Sequence, residues 1–176
     1  MTGVQTCALP ILGIVQFDAH ADLRDTYEGS PYNHACVMRR VLDQGLDLFQ
    51  IGVRSLSLDE AKFRRDNRIG LLDAVDIAKK GIPPIILPDD FPIHIYISID
   101  VDSLDPSLMP ATGTPEPGGL TWFQIMEILE KVIKQRNVIG FDVVELAPIS
   151  GFHAPDFTIA RLIYQTMGFI SRKRGA

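Results

Sequence analysis

Two short acidic motifs of this chain combine residue types that could do chemistry. The first is Asp18-Ala-His20-Ala-Asp22, and the second is Asp100-Val-Asp102. In an extended segment, residues at i, i+2 and i+4 share a face, so the side chains of each motif can converge. Grouped carboxylates repel one another and lose solvation unless a cation neutralises them. Both motifs together therefore indicate a metal site, although either one alone could be a set of solvated or capping acids.

The donor types indicate which metal such a site would hold. Oxygen-rich ligands without thiolates favour Mn²⁺ or Mg²⁺, and the imidazole of His20 tilts the choice toward Mn²⁺. So many carboxylates capable of bridging suggest two ions. A two-ion site generates a hydroxide nucleophile at neutral pH and holds it between the ions.

Four apolar runs rich in β-branched residues predict the strands that position these motifs. The runs are nearly continuous in hydrophobicity, as strands covered on both faces are. Helical patterns alternate with them, and this alternation predicts an α/β protein with three layers, α/β/α, and a mostly parallel sheet. The predicted strands cover 11–17, 46–53, 93–100 and 137–146, and the predicted helices cover 33–45, 57–66, 121–135 and 156–173.

Local signals mark the ends of these helices. Ser57 and Thr121 are predicted N-caps, and Gly45 is a predicted C-cap. The helix over 121–135 carries its apolar residues on one face, at Ile125, Ile128, Leu129 and Val132.

The predicted strand ends bring the acids together. In open α/β sheets, ligands bind beyond the carboxyl ends of the strands. Asp18 follows the first strand, Asp100 and Asp102 follow the third, and Glu145 follows the fourth. We therefore expect one acidic site at a single edge of the sheet.

Composition narrows the class of protein. The chain has 176 residues, which suits one domain, and its net charge of -5 argues against a nucleic-acid partner or an anionic membrane. No apolar run approaches the length of a membrane span. Two cysteines, Cys7 and Cys36, provide neither a disulfide framework nor a metal-binding spacing, so a cytoplasmic location is expected.

Three longer blocks resemble the ureohydrolase family, which includes arginases and agmatinases. They are FDAHADLRD (17–25), SIDVDSLDPSLMPATGTPEPGGL (98–120) and GFDVVELAP (140–148). The resemblance runs from about Ile11 to the C-terminus. It implies an arginase-like fold, a binuclear manganese centre, and hydrolysis of a guanidinium group to urea and an amine.

The resemblance assigns a metal-binding role to each residue of the two motifs. Asp18 and Asp100 match the carboxylates that bridge the two Mn²⁺ ions. Asp22 matches a terminal ligand of one ion. His20 and Asp102 match ligands of the other ion.

The resemblance also implies catalytic roles. Glu145 matches the carboxylate that pairs with the substrate guanidinium, whose forked donors suit a carboxylate. His34, in SPYNHA (30–35), matches the histidine that relays protons to the leaving amine. The alternative for His34 is a histidine at a helix start without catalytic duty. His94 is expected in the core or at an edge, and His153 is expected to be structural or at the surface.

The sequence departs from the family in its first part. The family's Gly-Gly-Asp/Glu-His motif, which supplies the remaining ligand of the ion held by Asp22, does not occur in this chain. Residues 1–10 do not resemble the family and are expected to be a leader. Residues 11–176 are expected to be the C-terminal part of a ureohydrolase domain, with a sheet incomplete at its N-terminus and one ion weakly occupied.

The exact substrate stays open at this point. SPYNHA and GTPEPGGL (113–120) look more like agmatinases, so hydrolysis of agmatine to putrescine, a step of polyamine biosynthesis, is our first expectation. An arginase or a guanidino-acid hydrolase is the alternative, because Arg24 could bind a carboxylate. A homo-oligomer, trimer or hexamer, is expected from the family.

Two other classes remain as alternatives. The chain could be an inactive truncated fragment that acts only as an assembly subunit. A metal-dependent deacetylase shares the overall architecture but uses a single zinc ion, and the pattern of bridging acids favours two ions instead.

Overall fold

The structure is a computed structural model that describes residues 12–175 of the chain. The predicted leader, residues 1–10, lies outside the described residues. Five strands form one sheet in the order β3-β2-β1-β4-β5, and every neighbouring pair is parallel. The strands are β1 Leu12–Phe17, β2 Asp47–Ile51, β3 Gly70–Leu72, β4 His94–Asp100 and β5 Asn137–Val144.

Five α-helices cover the two faces of this sheet and confirm the three-layer prediction. The larger apolar cluster joins one sheet face to α3, α4 and α5, and the smaller one joins the other face to α1 and α2. The helices are α1 Val37–Asp43, α2 Leu58–Asp66, α3 Ala74–Lys80, α4 Trp122–Gln135 and α5 Ala154–Gly175.

The predicted helix starts are confirmed by hydrogen bonds. The Ser57 side chain accepts from the backbone of Glu60, and the Thr121 side chain accepts from that of Gln124. Both starts form a complete capping box, which satisfies backbone N–H groups at the first turn. Gly45, with φ 74°, follows α1 in the left-handed conformation that ends many helices.

The structure differs from the prediction in its shortest elements. β3 and α3 were not predicted, because three residues of strand and seven of helix are too short to show a clear period. The predicted helix over 33–45 begins as a 3₁₀ turn, His34–Cys36, in which the Asn33 side chain caps Ala35 N.

The order in which strands are added to the sheet reverses at β1, since β2 and β3 lie on one side of it and β4 and β5 on the other. β1 pairs with β2 on one side and with β4 on the other, although β4 lies much later in the sequence. Such a point leaves a crevice beyond the carboxyl ends of the two strands, which is where α/β sheets bind ligands. Within residues 12–175, none of the helices combines the length and apolar composition that a membrane crossing requires.

Candidate metal centre

The two acidic motifs meet at the crevice between β1 and β4. Phe17, the last residue of β1, lies beside Ile99 in the parallel register. Asp18 therefore leaves β1 next to Asp100, the last residue of β4. Asp102 follows in a 3₁₀ turn, Val101–Ser103.

The first motif folds back on itself through Asp18. Asp18 Oδ1 accepts a hydrogen bond of 2.6 Å from His20 N. The imidazole then lies between two acids, with His20 Nδ1 3.0 Å from Asp102 Oδ2 and 3.5 Å from Asp18 Oδ1. One ligand atom from each of these three residues lies within 4.8 Å of the other two, a spacing that suits a shared metal ion.

Asp102 joins the two motifs. Its Oδ1 accepts a hydrogen bond of 3.0 Å from Ala19 N, inside the first motif. Its own backbone N–H donates to Asp100 Oδ1 over 2.8 Å. Asp102 is almost fully buried, so its position is set by these contacts.

The extended geometry assumed for both motifs holds only in part. Asp102 lies in a 3₁₀ turn, because the Asp100 side chain caps that turn. Asp22 has a left-handed backbone, with φ 53°, and its carbonyl accepts from Met38 N and Arg39 N at the start of α1. The acids still converge, but tight turns rather than extended chain bring them together.

A cavity of about 830 Å³ opens over this cluster. Asp22 and Asp100 line it, although they lie outside the tight group formed by Asp18, His20 and Asp102. The two predicted catalytic residues, His34 and Glu145, line it as well and are exposed. Four of the five predicted ligands, Asp18, His20, Asp22 and Asp100, and both catalytic candidates thus line one cavity, and Asp102 contacts His20.

His94 and His153 lie away from this cavity. His94 is the half-buried first residue of β4, and His153 is exposed just before α5.

Burial raises the pKa values of three of the carboxyls. Desolvation is the largest cause in each, and it raises the pKa of Asp18 to about 6. Desolvation and the neighbouring Asp18 charge raise the pKa of Asp22 to about 8 and that of Asp100 to about 9. These buried carboxylates therefore favour a partner that neutralises their charge, and a divalent cation could be that partner.

The histidine and the remaining acid behave as an ion pair. The hydrogen bonds from His20 to Asp102 and Asp18 raise the pKa of His20 to about 10. Although burial opposes it, the hydrogen bond from His20 holds the pKa of Asp102 below its ordinary value. Carboxylate oxygens with one imidazole nitrogen form a donor set that fits Mn²⁺, so these residues fit a divalent metal.

Two residues of the cavity wall have a backbone that rarely suits their side chains. Asp22, with φ 53°, and Glu145, with φ 63°, both lie in the left-handed region. Such positions cost of order 1 kcal/mol or more and tend to occur at functional sites. At these two positions the unusual backbone coincides with residues predicted to bind metal and substrate.

Arg54, which follows the end of β2, was not predicted as a residue of the site. Its guanidinium donates to the backbone carbonyl of Asp102, in the 3₁₀ turn, and to that of Glu116, in the loop rich in Gly and Pro, both over 2.7 Å. The rule that ligand sites lie beyond strand ends, applied to β2, would have identified this residue.

Glu60 was also missed as a residue of the site. Its Oε2 closes the capping box of α2, while its Oε1 accepts from Leu23 N over 3.0 Å. Ser57 was predicted as the N-cap, but the contact of Glu60 with the loop that carries Asp22 was not.

A known protein family matches most of the chain. The model described as "Arginase family" matches residues 1–168. An N(1)-aminopropylagmatine ureohydrolase of Thermus thermophilus is 39% identical over 168 residues, which are 96% of this chain and 57% of that protein. An agmatinase of Pyrococcus horikoshii is 39% identical over 158 residues, which are 90% of this chain and 55% of that protein.

A solved structure shows the same fold. The agmatine ureohydrolase of Thermoplasma volcanium superposes with a TM-score of 0.83 at 34% identity, over 96% of this chain and 58% of that one. The chain thus spans little more than half the length of the curated relatives it matches.

Proposed function

The chain belongs to the arginase family, and from this premise we propose that it forms a manganese centre for the hydrolysis of a guanidino compound to urea and an amine. One observation carries the proposal. Asp18, His20 and Asp102 present ligand atoms within 4.8 Å of one another at the sheet crevice. Asp22 and Asp100 line the same cavity, so all five predicted ligands lie in one region.

The metal ligands are assigned as the family resemblance implies. Asp18 and Asp100 would hold both ions, Asp22 would hold one of them, and His20 and Asp102 would hold the other. The raised pKa values of Asp18, Asp22 and Asp100 support this assignment, because bound cations would replace protons that burial holds there. When bound, the ions supply a hydroxide nucleophile at neutral pH.

The residues of the cavity wall bind and orient the substrate. The Glu145 carboxylate accepts hydrogen bonds from the forked donors of the guanidinium and so holds its carbon above the acidic cluster. His34 donates a proton to the departing amine nitrogen. Tyr27 packs edge-on against the His34 ring, with the ring centroids 5.7 Å apart, and so limits the movement of the imidazole.

An amine-tailed guanidino compound is the proposed substrate, and agmatine is our first choice. Arg24 lies 4.7 Å over the ring of Tyr27 and 3.9 Å from Glu60, so its charge is already engaged within the protein. This arrangement favours agmatine over arginine or a guanidino acid, which would need a free cation for their carboxylate. The names of the relatives extend the class to N(1)-aminopropylagmatine.

Urea release tests this assignment. The Mn²⁺-loaded chain is incubated with agmatine, N(1)-aminopropylagmatine, arginine and 4-guanidinobutyrate at equal concentrations, and urea is measured. We expect one of the two amine-tailed compounds to have the highest kcat/KM. The highest value with arginine or 4-guanidinobutyrate would contradict the substrate assignment, and no urea from any compound would contradict the activity of this chain.

A homo-oligomer, trimer or hexamer, is part of the proposal. It rests on the family resemblance alone. Sedimentation equilibrium of the purified chain tests it, since a purely monomeric chain at micromolar concentration would contradict it.

A further inference from the structure

Two glutamines lie directly beneath the acidic cluster, within the sheet. Gln16 in β1 is 1% exposed and Gln50 in β2 is 0% exposed. They are partners in the parallel register, so their side chains lie side by side on one face. Because Gln16 precedes Asp18 by two residues in an extended strand, it lies on the same face as that acid.

A directed series of hydrogen bonds joins these glutamines to the first acidic motif. Gln50 Nε2 donates to the backbone carbonyl of Ala21 over 2.7 Å and to Gln16 Oε1 over 2.6 Å. Gln16 Nε2 in turn donates to Asp18 Oδ2 over 2.7 Å. The series begins and ends in the same loop, at Ala21 and at Asp18.

The backbone sets the direction of this series. The Ala21 carbonyl can only accept, so Gln50 must turn its NH₂ group toward it. That orientation presents a donor to Gln16, so the side-chain oxygen of Gln16 must accept the hydrogen bond. Gln16 is then left with its NH₂ group facing Asp18, and the carboxylate receives a donor whose orientation is fixed.

The polar pair is confined to the level beneath the acids. One level deeper on the same face, the register pairs Ile14 with Leu48, both buried and apolar. Burying two amides costs free energy that an apolar pair would not, and Gln50 Oε1 has no hydrogen-bond partner. This cost indicates that the amides do something other than stabilise the sheet.

We infer that Gln16 and Gln50 are positioning residues of the metal centre, which together fix the orientation of the Asp18 carboxylate. The inference rests on the proposed function, since it takes Asp18 to be a metal ligand. Gln16 holds Oδ2 of Asp18 from behind while Oδ1 accepts from His20 N, which leaves one lone pair on each oxygen for a cation. Gln50 holds Gln16 in place and anchors the loop between His20 and Asp22 through Ala21.

The test measures Mn²⁺ affinity in variants that keep the side-chain volume. Gln16→Met and Gln50→Met remove the amides, and Gln135→Met is the matched control. Gln135 accepts a hydrogen bond from Leu87 N at the end of α4, so its loss changes stability without touching Asp18. Calorimetry and the electron paramagnetic resonance signal of free Mn²⁺ give the Kd, and the melting temperature is measured without metal.

We expect Gln16→Met to raise the Kd for Mn²⁺ about 10- to 100-fold, as loss of an outer hydrogen bond to a ligand does. Gln135→Met should lower the melting temperature but leave the Kd unchanged. A Kd for Gln16→Met within about twofold of the parent value would overturn the inference. If Gln16→Met does not fold, Gln50→Met decides, and an unchanged Kd in that variant would overturn the inference equally.

The double variant tests whether the two glutamines act in series. If Gln50 acts on Asp18 through Gln16, Gln16→Met/Gln50→Met should bind Mn²⁺ as Gln16→Met alone does. Losses that add in full would overturn the serial arrangement. Absence of Mn²⁺ binding in the parent chain would overturn the proposed metal centre and the inference with it, whereas binding in the parent that Gln16→Met retains would overturn the inference alone.

Discussion

Arg54 donates a hydrogen bond of 2.7 Å from Nη2 to the backbone carbonyl of Asp102, 48 residues further along the chain. The same guanidinium donates to Glu116 O and Pro117 O in the loop rich in Gly and Pro, and to Gly52 O at the end of β2. One side chain therefore connects β2, the turn that carries Asp102 and the loop beside the cavity. The acidic cluster is thus held in part through the backbone carbonyl of Asp102.

Loss of the Arg54 guanidinium should destabilise the chain. Arg54→Met leaves several backbone carbonyls without a donor, and we expect a loss of about 2–4 kcal/mol in the free energy of unfolding. Arg54→Lys should not restore it, because an ammonium cannot reproduce the planar fork. Urea denaturation measures both variants, with the exposed Arg65→Met as control. Parent stability in Arg54→Lys would contradict this role.

Gly119 should not tolerate a side chain. A Cβ there would lie 2.5 Å from Asp105 N and 2.6 Å from the carbonyl carbon of Leu104, and backbone atoms cannot move aside cheaply. We expect Gly119→Ala to lower stability by about 1–3 kcal/mol, as overpacking does.

Gly113→Ala is the matched control for Gly119→Ala. It lies in the same loop but has nothing within 4 Å of the added Cβ. Thermal unfolding of the two variants compares them. Equal melting temperatures of the two variants would contradict the close contact between residue 119 and the backbone at Leu104 and Asp105.

The acidic motifs and their place beyond β1 and β4 could be predicted from the sequence, because apolar runs and strand ends are local signals. Asp18, His20 and Asp102 do meet there. The contacts that lock the site could not be predicted in this way. Ala19 N donates to Asp102 across 83 residues of sequence, and only the strand order shows that these residues are neighbours.

The role of buried polar residues within strands could not be predicted from the sequence either. Gln16 and Gln50 lie inside runs that indicate apolar strands, and nothing local distinguishes them from a solvent-facing position. Their partnership follows from the β1–β2 register, which the sequence does not specify.

The metal-free chain should lose stability as pH rises above about 4. The pKa of Asp22 is raised to about 8 and that of Asp100 to about 9 from 3.8, so the folded chain holds protons that the unfolded chain has released. Stability is then fully present below the unfolded pKa and falls as pH rises toward 8–9. His20, raised from 6.5 to about 10, adds a loss in the same direction between these values.

Chemical denaturation from pH 4 to pH 9 in the presence of a chelator measures this slope. Asp100→Asn removes one of the titrating groups and should flatten the curve. Saturating Mn²⁺ should also flatten or reverse it, because the ions bind the ionised carboxylates and favour the folded state. A metal-free stability that rises with pH over this range would contradict the assigned pKa directions.

Substitution of Glu145 should separate substrate binding from metal binding. Glu145→Gln keeps the size of the side chain but loses the charge that pairs with a guanidinium. We expect kcat/KM for agmatine to fall about 10- to 100-fold, which corresponds to one charge-assisted hydrogen bond, while Mn²⁺ affinity is unchanged. Steady-state urea release and calorimetry check the two parts. Full activity in this variant would contradict the pairing of Glu145 with the substrate guanidinium.

Titration of the purified chain with Mn²⁺ by calorimetry tests the central claim, that the acids at the β1–β4 crevice form a metal centre. Asp100→Ala is measured alongside, and Asp76→Ala, which removes a half-buried acid paired with Lys80, is the control. We predict that one or two ions bind per chain, that Asp76→Ala retains this binding, and that Asp100→Ala loses it. Absence of binding in the parent chain, or equal binding in Asp100→Ala, would contradict the account.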